Sequence, residues 1–373
     1  MNQASGSGAT AIEFKAHLTR QRFALRAEFT LPAKGCTVLF GPSGSGKTTC
    51  LRVMAGLEPE ARGLVRLGHE AWMDSDAGTF VPAHLRSIGY VFQDANLFEH
   101  LSVRGNLEFG FNRTPEAERR HHWRDGLEML GIGHLLDALP ADLSGGERQR
   151  VAVARALATS PRILLMDEPL AALDAAKKKE LLPWLEQLHE TLDIPLVYVT
   201  HSLDETIRLA DHVVVLDKGK VAGQGDTTDI LTRTDLPLAH DDAAASVIEG
   251  TMSEHRDEMA MCRLTFPGGE FWLPQARTQA PALGTRMRIR IHARDVSLSL
   301  VKPEHTSILN ILPARVTDVS EDGPGQVLVG LSLDQGETGS RLLARISRLS
   351  CERLAISAGT RVYAQIKGVA MVR

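Results

Sequence analysis

Cysteine is scarce and scattered. The four cysteines, Cys36, Cys50, Cys262 and Cys351, form no CxxC pair. That spacing argues against a disulfide framework or a cysteine-built metal centre and favours reduced thiols. Long apolar runs are also missing. None approaches the roughly 18 residues that a membrane-spanning helix needs. No early stretch joins basic residues to an apolar core, so no secretory leader is expected. An excess of positive charge is absent too. The formal net charge is -4, which argues against broad electrostatic binding to nucleic acid, and nucleic acid is not expected as a partner. There is no clear long repeat and no extended low-complexity segment. What is present is an ordinary globular mixture, 43% hydrophobic and 24% charged, over 373 residues. That length is too great for one core, so two domains are expected, with room for a small third.

The start, residues 1–11, is rich in Gly, Ser and Ala and reads as a flexible terminus. Short alternating stretches between Ile12 and Thr30 read as strands. Cys36–Phe40 is a buried strand that feeds a glycine-rich turn, and Lys47–Ala55 reads as a helix. Further apolar strands are expected within Ser87–Phe92, Ile163–Met166, Pro195–Val199 and Val213–Leu216. The last is followed by the hairpin signal Asp217-Lys218-Gly219-Lys220. Residues 96–158 read as mostly helical. Strands separated by helices predict an α/β layer with a mostly parallel sheet over residues 12–240. The character changes after Asp235. Residues 241–303 read as a linker and β-rich segment with a turn at Pro267-Gly268-Gly269. Residues 304–373 read as a small all-β module with turns at Gly323-Pro324-Gly325 and Gly336.

Three constellations carry chemistry. Gly41-Pro42-Ser43-Gly44-Ser45-Gly46-Lys47-Thr48 fits GxxxxGK[ST], with Thr49 next. Glycines let backbone N–H groups turn inward around phosphate oxygens. Lys47 is placed for the β- and γ-phosphates and Thr48 for Mg²⁺. The helix that follows aims its positive end at the anion. Arg162-Ile163-Leu164-Leu165-Met166-Asp167-Glu168 places two carboxylates at the C-terminal end of a central strand, where open α/β sheets bind ligands. Asp167 is the candidate Mg²⁺ ligand and Glu168 the candidate general base. Leu143-Ser144-Gly145-Gly146-Glu147-Arg148-Gln149-Arg150 offers a second anion-binding helix start. Two charged stretches read more simply. His121-His122 with Asp125 sits among Arg119, Arg120 and Arg124, and Lys177-Lys178-Lys179 is similar; both are expected as solvated helix faces.

Together these motifs resemble the ATP-binding subunits of ABC transporters, and the last resembles their signature without a departure. The resemblance implies a P-loop ABC ATPase fold with a helical subdomain. It implies two copies head-to-tail, with ATP and Mg²⁺ sandwiched between them. Ser144, Gly145, Gly146 and Gln149 of one copy would then face the ATP of the other. Gln93 resembles the glutamine that senses Mg²⁺ and the attacking water. Asp174 resembles the loop crossing the dimer seam, with Ala171 and Ala172 where the family often has a serine. His201 resembles the switch histidine that contacts the γ-phosphate. Phe23 is the candidate ring for stacking on adenine, and serves equally as a core residue of an early strand.

Tyr90–Phe98 and Val103–Leu107 resemble molybdate importer ATPases in particular. So do Ile291-His292-Ala293-Arg294-Asp295-Val296-Ser297-Leu298 and the Thr306–Asn310 opening of an OB-like, molybdopterin-binding-protein-like (Mop) tail. The resemblance implies a membrane permease and an external oxyanion-binding protein as partners. It also implies a peripheral location on the cytoplasmic face of the inner membrane. Bound molybdate or tungstate at the tail is the finer expectation, through Thr306, Ser307, Ser347 and Arg348, with Arg345 nearby. Leu309 departs from an arginine often found there, and a purely architectural tail remains the other reading. A different oxyanion, such as sulfate, or a soluble oxyanion sensor with a vestigial ATPase are the alternatives for the whole chain.

Overall fold

The computed structural model describes residues 12–372 apart from 22, 120–123, 125–126, 275–280 and 334–339. The His121-His122-Asp125 cluster, the Gly336 turn and the N-terminal segment therefore lie outside the described residues. The chain packs as two compact units, one ending at Gln224 and one beginning at Gly225.

The first unit begins with β1 (Ile12–Arg20), β2 (Phe23–Leu31), β3 (Cys36–Phe40) and α1 (Lys47–Met54). Strands β4 (Arg62–Leu67), β5 (Glu70–Asp74), β6 (Thr79–Phe80) and β7 (Ile88–Val91) follow. Helices α2 (Val103–Phe111), α3 (Leu127–Leu130) and α4 (Gly145–Leu157) lie within the region read as helical. Then come β8 (Ile163–Asp167), α5 (Ala175–Thr191), β9 (Leu196–Thr200), α6 (Leu203–Leu209), β10 (His212–Asp217) and β11 (Lys220–Asp226). One sheet runs β6-β5-β4-β1-β2-β11-β10-β3-β9-β8-β7.

Two kinds of strand share that sheet. β3, β8 and β9 are buried at every residue, as continuous apolar runs must be when both faces are covered. They pair in parallel, β7 with β8, β8 with β9, β9 with β3 and β3 with β10. β1 and β2 alternate buried and exposed residues and pair antiparallel. Phe14 stacks on Phe29 at 4.5 Å, inside the core that also holds Trp72. The β10–β11 hairpin turns through Lys218 and Gly219, both at positive φ, the twist that a two-residue hairpin requires.

The second unit starts with α7 (Thr227–Ile230). Strands β12 (Ala245–Arg256), β13 (Met261–Phe266), β14 (Gly269–Pro274), β15 (Arg286–His292), β16 (Val296–Ser299) and β17 (Asn310–Glu321) follow. β18 (Gln326–Ser332), β19 (Arg341–Ser347), α8 (Arg348–Arg353), β20 (Arg361–Ile366) and β21 (Ala370–Met371) complete it. They form two five-stranded sheets, β14-β13-β12-β15-β21 and β16-β20-β17-β18-β19. Residues 241–303, expected as a linker and β-rich segment, are built into this unit. Ile248, Leu264, Phe271 and Ile289 share one core with Leu312, Val329 and Val362. The physical reason is visible along β13 and β17. Their alternating side chains bury one face, and a half-apolar strand needs a second layer to cover it. Among the described residues no helix is long and apolar enough to cross a membrane.

Candidate nucleotide site

Parallel pairing sets the site. Phe40 stands opposite Thr200, Asp167 opposite Val199 and Val91 opposite Met166. The residues that leave these strands, Gly41, Glu168, His201 and Phe92, therefore emerge in one row at the C-terminal edge of the sheet. The row unites stretches from residue 41 to residue 201.

The loop after β3 is held by its own lysine. Lys47 Nζ donates to Gly41 O at 2.7 Å and Pro42 O at 3.0 Å, and lies 3.8 Å from Glu168 Oε1. Only 4% of the Lys47 side chain is exposed. Burial pulls its ammonium below the usual lysine range, opposed by the charges of Glu168 and Asp167. Gly41 approaches Leu216 O so closely that a Cβ would sit 2.2 Å away, and a Cβ on Gly46 would meet Phe23 Cζ at 2.9 Å. No other residue fits either place without a shift. Phe23 thus lies against the phosphate loop, half-buried on the core. Ser45 Oγ is buried and has no hydrogen-bond partner among the described residues.

The two carboxylates differ. Asp167 Oδ1 accepts from Thr48 Oγ1 at 2.8 Å, and Oδ2 accepts from Tyr90 OH at 3.2 Å. Burial raises the Asp167 pKa above the usual carboxylate range; the two hydroxyls oppose that and the neighbouring Glu168 charge adds to it. Burial first, then the Asp167 charge, also lifts the Tyr90 phenol far above its ordinary value. Glu168 has φ +43° and its backbone N–H donates to Val199 O at 3.1 Å. A left-handed non-glycine residue costs about 1–3 kcal/mol and belongs where surrounding structure holds it. His201 Nδ1 lies 3.2 Å from Glu168 Oε2. Gln93 is exposed just past β7.

These groups fit a magnesium nucleotide. Thr48 and Asp167 offer a hydroxyl and a carboxylate at one point, the hard oxygen pair that Mg²⁺ takes. Asp167 is buried with hydroxyl partners, and a divalent cation would offset its charge. The loop presents a buried ammonium, and the Lys47 helix begins at the anion position.

The signature stretch stands apart. Ser144 caps α4: its Oγ accepts from Glu147 N at 3.3 Å, and Ser144 N donates to Glu147 Oε2 at 2.8 Å. Such capping contributes about 0.5–2 kcal/mol. A Cβ on Gly145 would meet Leu173 Cδ2 at 3.0 Å. The start of α4 therefore sits beside the loop that ends at Asp174. Asp174 caps α5 by accepting from Lys177 N at 2.9 Å. Among the described residues, no hydrogen bond or ion pair joins Ser144, Gly145, Gly146 or Asp174 to the phosphate loop. Gln149 differs from Ser144 in its surroundings. It is 4% exposed, because it falls on the core face of α4 with Val153 and Ala156. It does not share the exposed start of that helix with Ser144.

The tail candidates do not converge. Thr306 and Ser307 are exposed before β17, and Leu309 is 67% exposed. Ser347 accepts from Ser350 N at 3.0 Å as the cap of α8, and Arg348 pairs with Glu321 at 3.1 Å. β17 runs from Asn310 to Glu321, and Glu321 lies across from Val327, itself across from Ile346. The Thr306–Ser307 pair precedes the start of this strand, whereas the Ser347–Arg348 pair lies across the sheet from its end. Arg345 is committed to Asp322 Oδ2 at 2.5 Å and Asp241 O at 2.8 Å. Asn310, quoted above as part of the tail opening, clamps the backbone of Trp272 at 2.8 and 3.0 Å.

Sequence reasoning missed Tyr90 as a partner of Asp167, although it lies inside a quoted motif. The available signal was its place on a short strand beside β8, with a polar tip on an otherwise apolar side chain.

The chain is similar to known proteins over nearly its whole length. The ABC transporter family model matches residues 25–171 and the TOBE domain model matches residues 306–372. The chain is similar to the Molybdenum import ATP-binding protein ModC 1 of Azotobacter vinelandii, 55% identical over 94% of this chain and 95% of that one. It is 51% identical to ModC of Albidiferax ferrireducens, over 97% of this chain and 96% of that one. It is likewise 51% identical to ModC of Pseudomonas fluorescens, over 97% and 99%. Among solved structures, cbiO1 from Clostridium perfringens, part of an ABC transporter complex, aligns with a TM-score of 0.52 and 27% identity. That alignment covers 61% of this chain and 92% of that one.

Proposed function

The chain belongs to the family of molybdenum import ATP-binding proteins among the ABC transporter ATPases, and from that premise we propose how it works and with what. It is the ATP-hydrolysing subunit of a molybdate importer. The observation that carries the reading is the single row of Lys47, Asp167, Glu168 and His201 at one sheet edge.

The phosphate loop and Lys47 bind the β- and γ-phosphates, and Thr48 and Asp167 hold Mg²⁺. Mg²⁺ supplies neutralisation of the phosphate charge when bound. Glu168 Oε accepts a proton from the water whose oxygen attacks the γ-phosphorus. The bond to the β-phosphate oxygen breaks, leaving ADP and phosphate. His201, now facing Glu168, is placed to turn to the γ-phosphate, and Gln93 to reach the metal and the water. Phe23 is the ring beside the loop for adenine.

Half of this site is missing from one chain. The exposed start of α4 and Asp174 make no bond to their own phosphate loop, which supports a head-to-tail pair in which Ser144, Gly145 and Gly146 close on the partner's ATP. Closure drives a membrane permease, and an external binding protein delivers the oxyanion. The peripheral location at the cytoplasmic face follows from that assembly. An oxyanion at the second unit would meet either the Thr306–Ser307 pair or the Ser347–Arg348 pair, so cargo choice rests on the binding protein.

The test is ATP hydrolysis by the chain assembled with its permease, with binding protein loaded with molybdate, tungstate or sulfate. Turnover stimulated by molybdate is expected. No turnover under any load would sink the transporter reading, and equal stimulation by sulfate would sink the cargo.

A further inference from the structure

One buried carboxylate beside the site has no part in the reaction above. Glu205, in α6, is 3% exposed. Its Oε2 accepts from Tyr198 OH at 3.0 Å and from Thr200 Oγ1 at 2.7 Å, and its Oε1 accepts from Lys178 Nζ at 3.3 Å. A buried carboxylate with this many donors is costly to disturb, since each partner lost leaves a polar group unmatched.

The Thr200 hydroxyl has a second bond. It accepts from the backbone N–H of Ser202 at 3.0 Å while it donates to Glu205. One hydroxyl therefore bridges the residues on both sides of His201. Ser202 is fixed in turn as the cap of α6, accepting from Glu205 N at 3.3 Å, and its carbonyl accepts from Thr206 Oγ1 at 2.9 Å. Below, Thr200 pairs with Phe40, the last strand residue before the phosphate loop. His201 itself has a half-exposed side chain. Its ring is set by its own backbone turn and by the contact with Glu168.

We propose that Glu205 and Thr200 are positioning residues for His201: the buried carboxylate orients the Thr200 hydroxyl, and that hydroxyl sets the backbone turn from which the imidazole faces the reacting phosphate. Lys178 supplies the positive charge that lets Glu205 stay buried. It lies one turn into α5, the helix capped by Asp174, so the same carboxylate ties the seam loop's helix to the His201 turn. This inference rests on the reading of His201 as a working residue of ATP hydrolysis.

Thr200→Val and Thr200→Ser separate positioning from packing. Valine keeps the volume and loses the hydroxyl; serine keeps the hydroxyl and loses a methyl. The measurement is kcat and KM for MgATP, on the full chain assembled with its permease. Thr200→Val is expected to lower kcat roughly ten- to hundredfold, the scale of a small misplacement of a working group. KM should hold within about twofold, since the loss falls on the transition state rather than on binding. Thr200→Ser should restore most of kcat, and Glu205→Gln should resemble the valine variant. A valine variant as active as the serine one, or a rise in KM that accounts for the loss, overturns the proposal. If Glu205→Gln does not fold, the threonine pair decides alone. His201→Ala is the control: full activity there sinks the reading of His201 itself, whereas loss there with an active Thr200→Val sinks only the positioning.

Discussion

The two units treat scattered polar residues in opposite ways. In the first, groups from Gly41 to His201 meet in one row. In the second, Thr306–Ser307 and Ser347–Arg348 lie at opposite ends of β17. The cause is strand direction. Parallel strands all finish at the same edge, so every residue that follows a strand is delivered to one place. In the second unit β17 and β19, each antiparallel to β18, run the same way, so the pair that precedes β17 and the pair that closes β19 fall at opposite edges. Motifs at strand ends thus assemble a site in the first unit, while in the second their resemblance to known tails does not by itself bring them together.

The sharpest way to break this comparison is at Glu168. It stands between Lys47 and His201, at 3.8 and 3.2 Å. Glu168→Gln is expected to lower kcat about 10²- to 10⁴-fold, the usual contribution of a positioned general base. MgATP should still bind, and the protein should accumulate as an ATP-bound dimer in size-exclusion chromatography. A variant that stays monomeric with ATP removes the head-to-tail reading.

That site was legible in the sequence because each part is local. GxxxxGK[ST], the carboxylate pair after an apolar run, and the Ser144 helix start each carry their geometry within a few residues. What was hidden depends on pairs far apart. Tyr90 and Asp167 meet only because β7 and β8 are neighbours. Glu205 and Thr200 are close in sequence, yet nothing there shows that the carboxylate is buried against Lys178. The extent of the second unit was hidden for a similar reason. Ala245–Arg256 is adjacent in sequence to polar, turn-rich stretches, and its partner Arg286–His292 lies some 40 residues on. The burial of Gln149 was hidden because the family motif was read as a string, while helical period turns this seventh residue of the stretch inward.

The second contrast lies between two buried aspartates. Asp322 has its partners built in: Arg345 Nε at 2.5 Å and the His240 ring at 2.9 Å. Only 8% of either the Asp322 or the Arg345 side chain is exposed. Arg345→Met leaves that carboxylate without its guanidinium, and removal of one partner of a buried pair costs about 3–5 kcal/mol. The expected readout is faster hydrogen exchange across β18 and β19, where Leu328 pairs with Arg345. Exchange unchanged in those strands would make the Arg345 pair a surface pair in effect.

Asp167 is the opposite case, and its substitution has the smallest effect on the fold. It is buried with hydroxyls for partners, and burial leaves its folded pKa above the unfolded value. The sign follows from proton linkage. A raised folded pKa means that the native state holds the proton more tightly. The favourable contribution is full below the ordinary carboxylate range and is lost as pH rises through the folded pKa. At neutral pH the charged Asp167 is therefore a burden in the nucleotide-free protein. Asp167→Asn is expected to raise stability by on the order of 1 kcal/mol, as replacing a functional group often does. The gain should fade as pH falls through the folded Asp167 pKa toward the unfolded aspartate range. Thermal unfolding of both proteins from pH 4 to pH 7, without nucleotide or metal, measures it. The same variant should lose the Mg²⁺-dependent part of its ATP affinity. A stabilised Asn variant that has lost metal-dependent binding identifies Asp167 as a carboxylate kept buried for a cation the chain does not supply. A destabilised one shows instead that the Thr48 and Tyr90 hydroxyls alone satisfy it, as Arg345 satisfies Asp322.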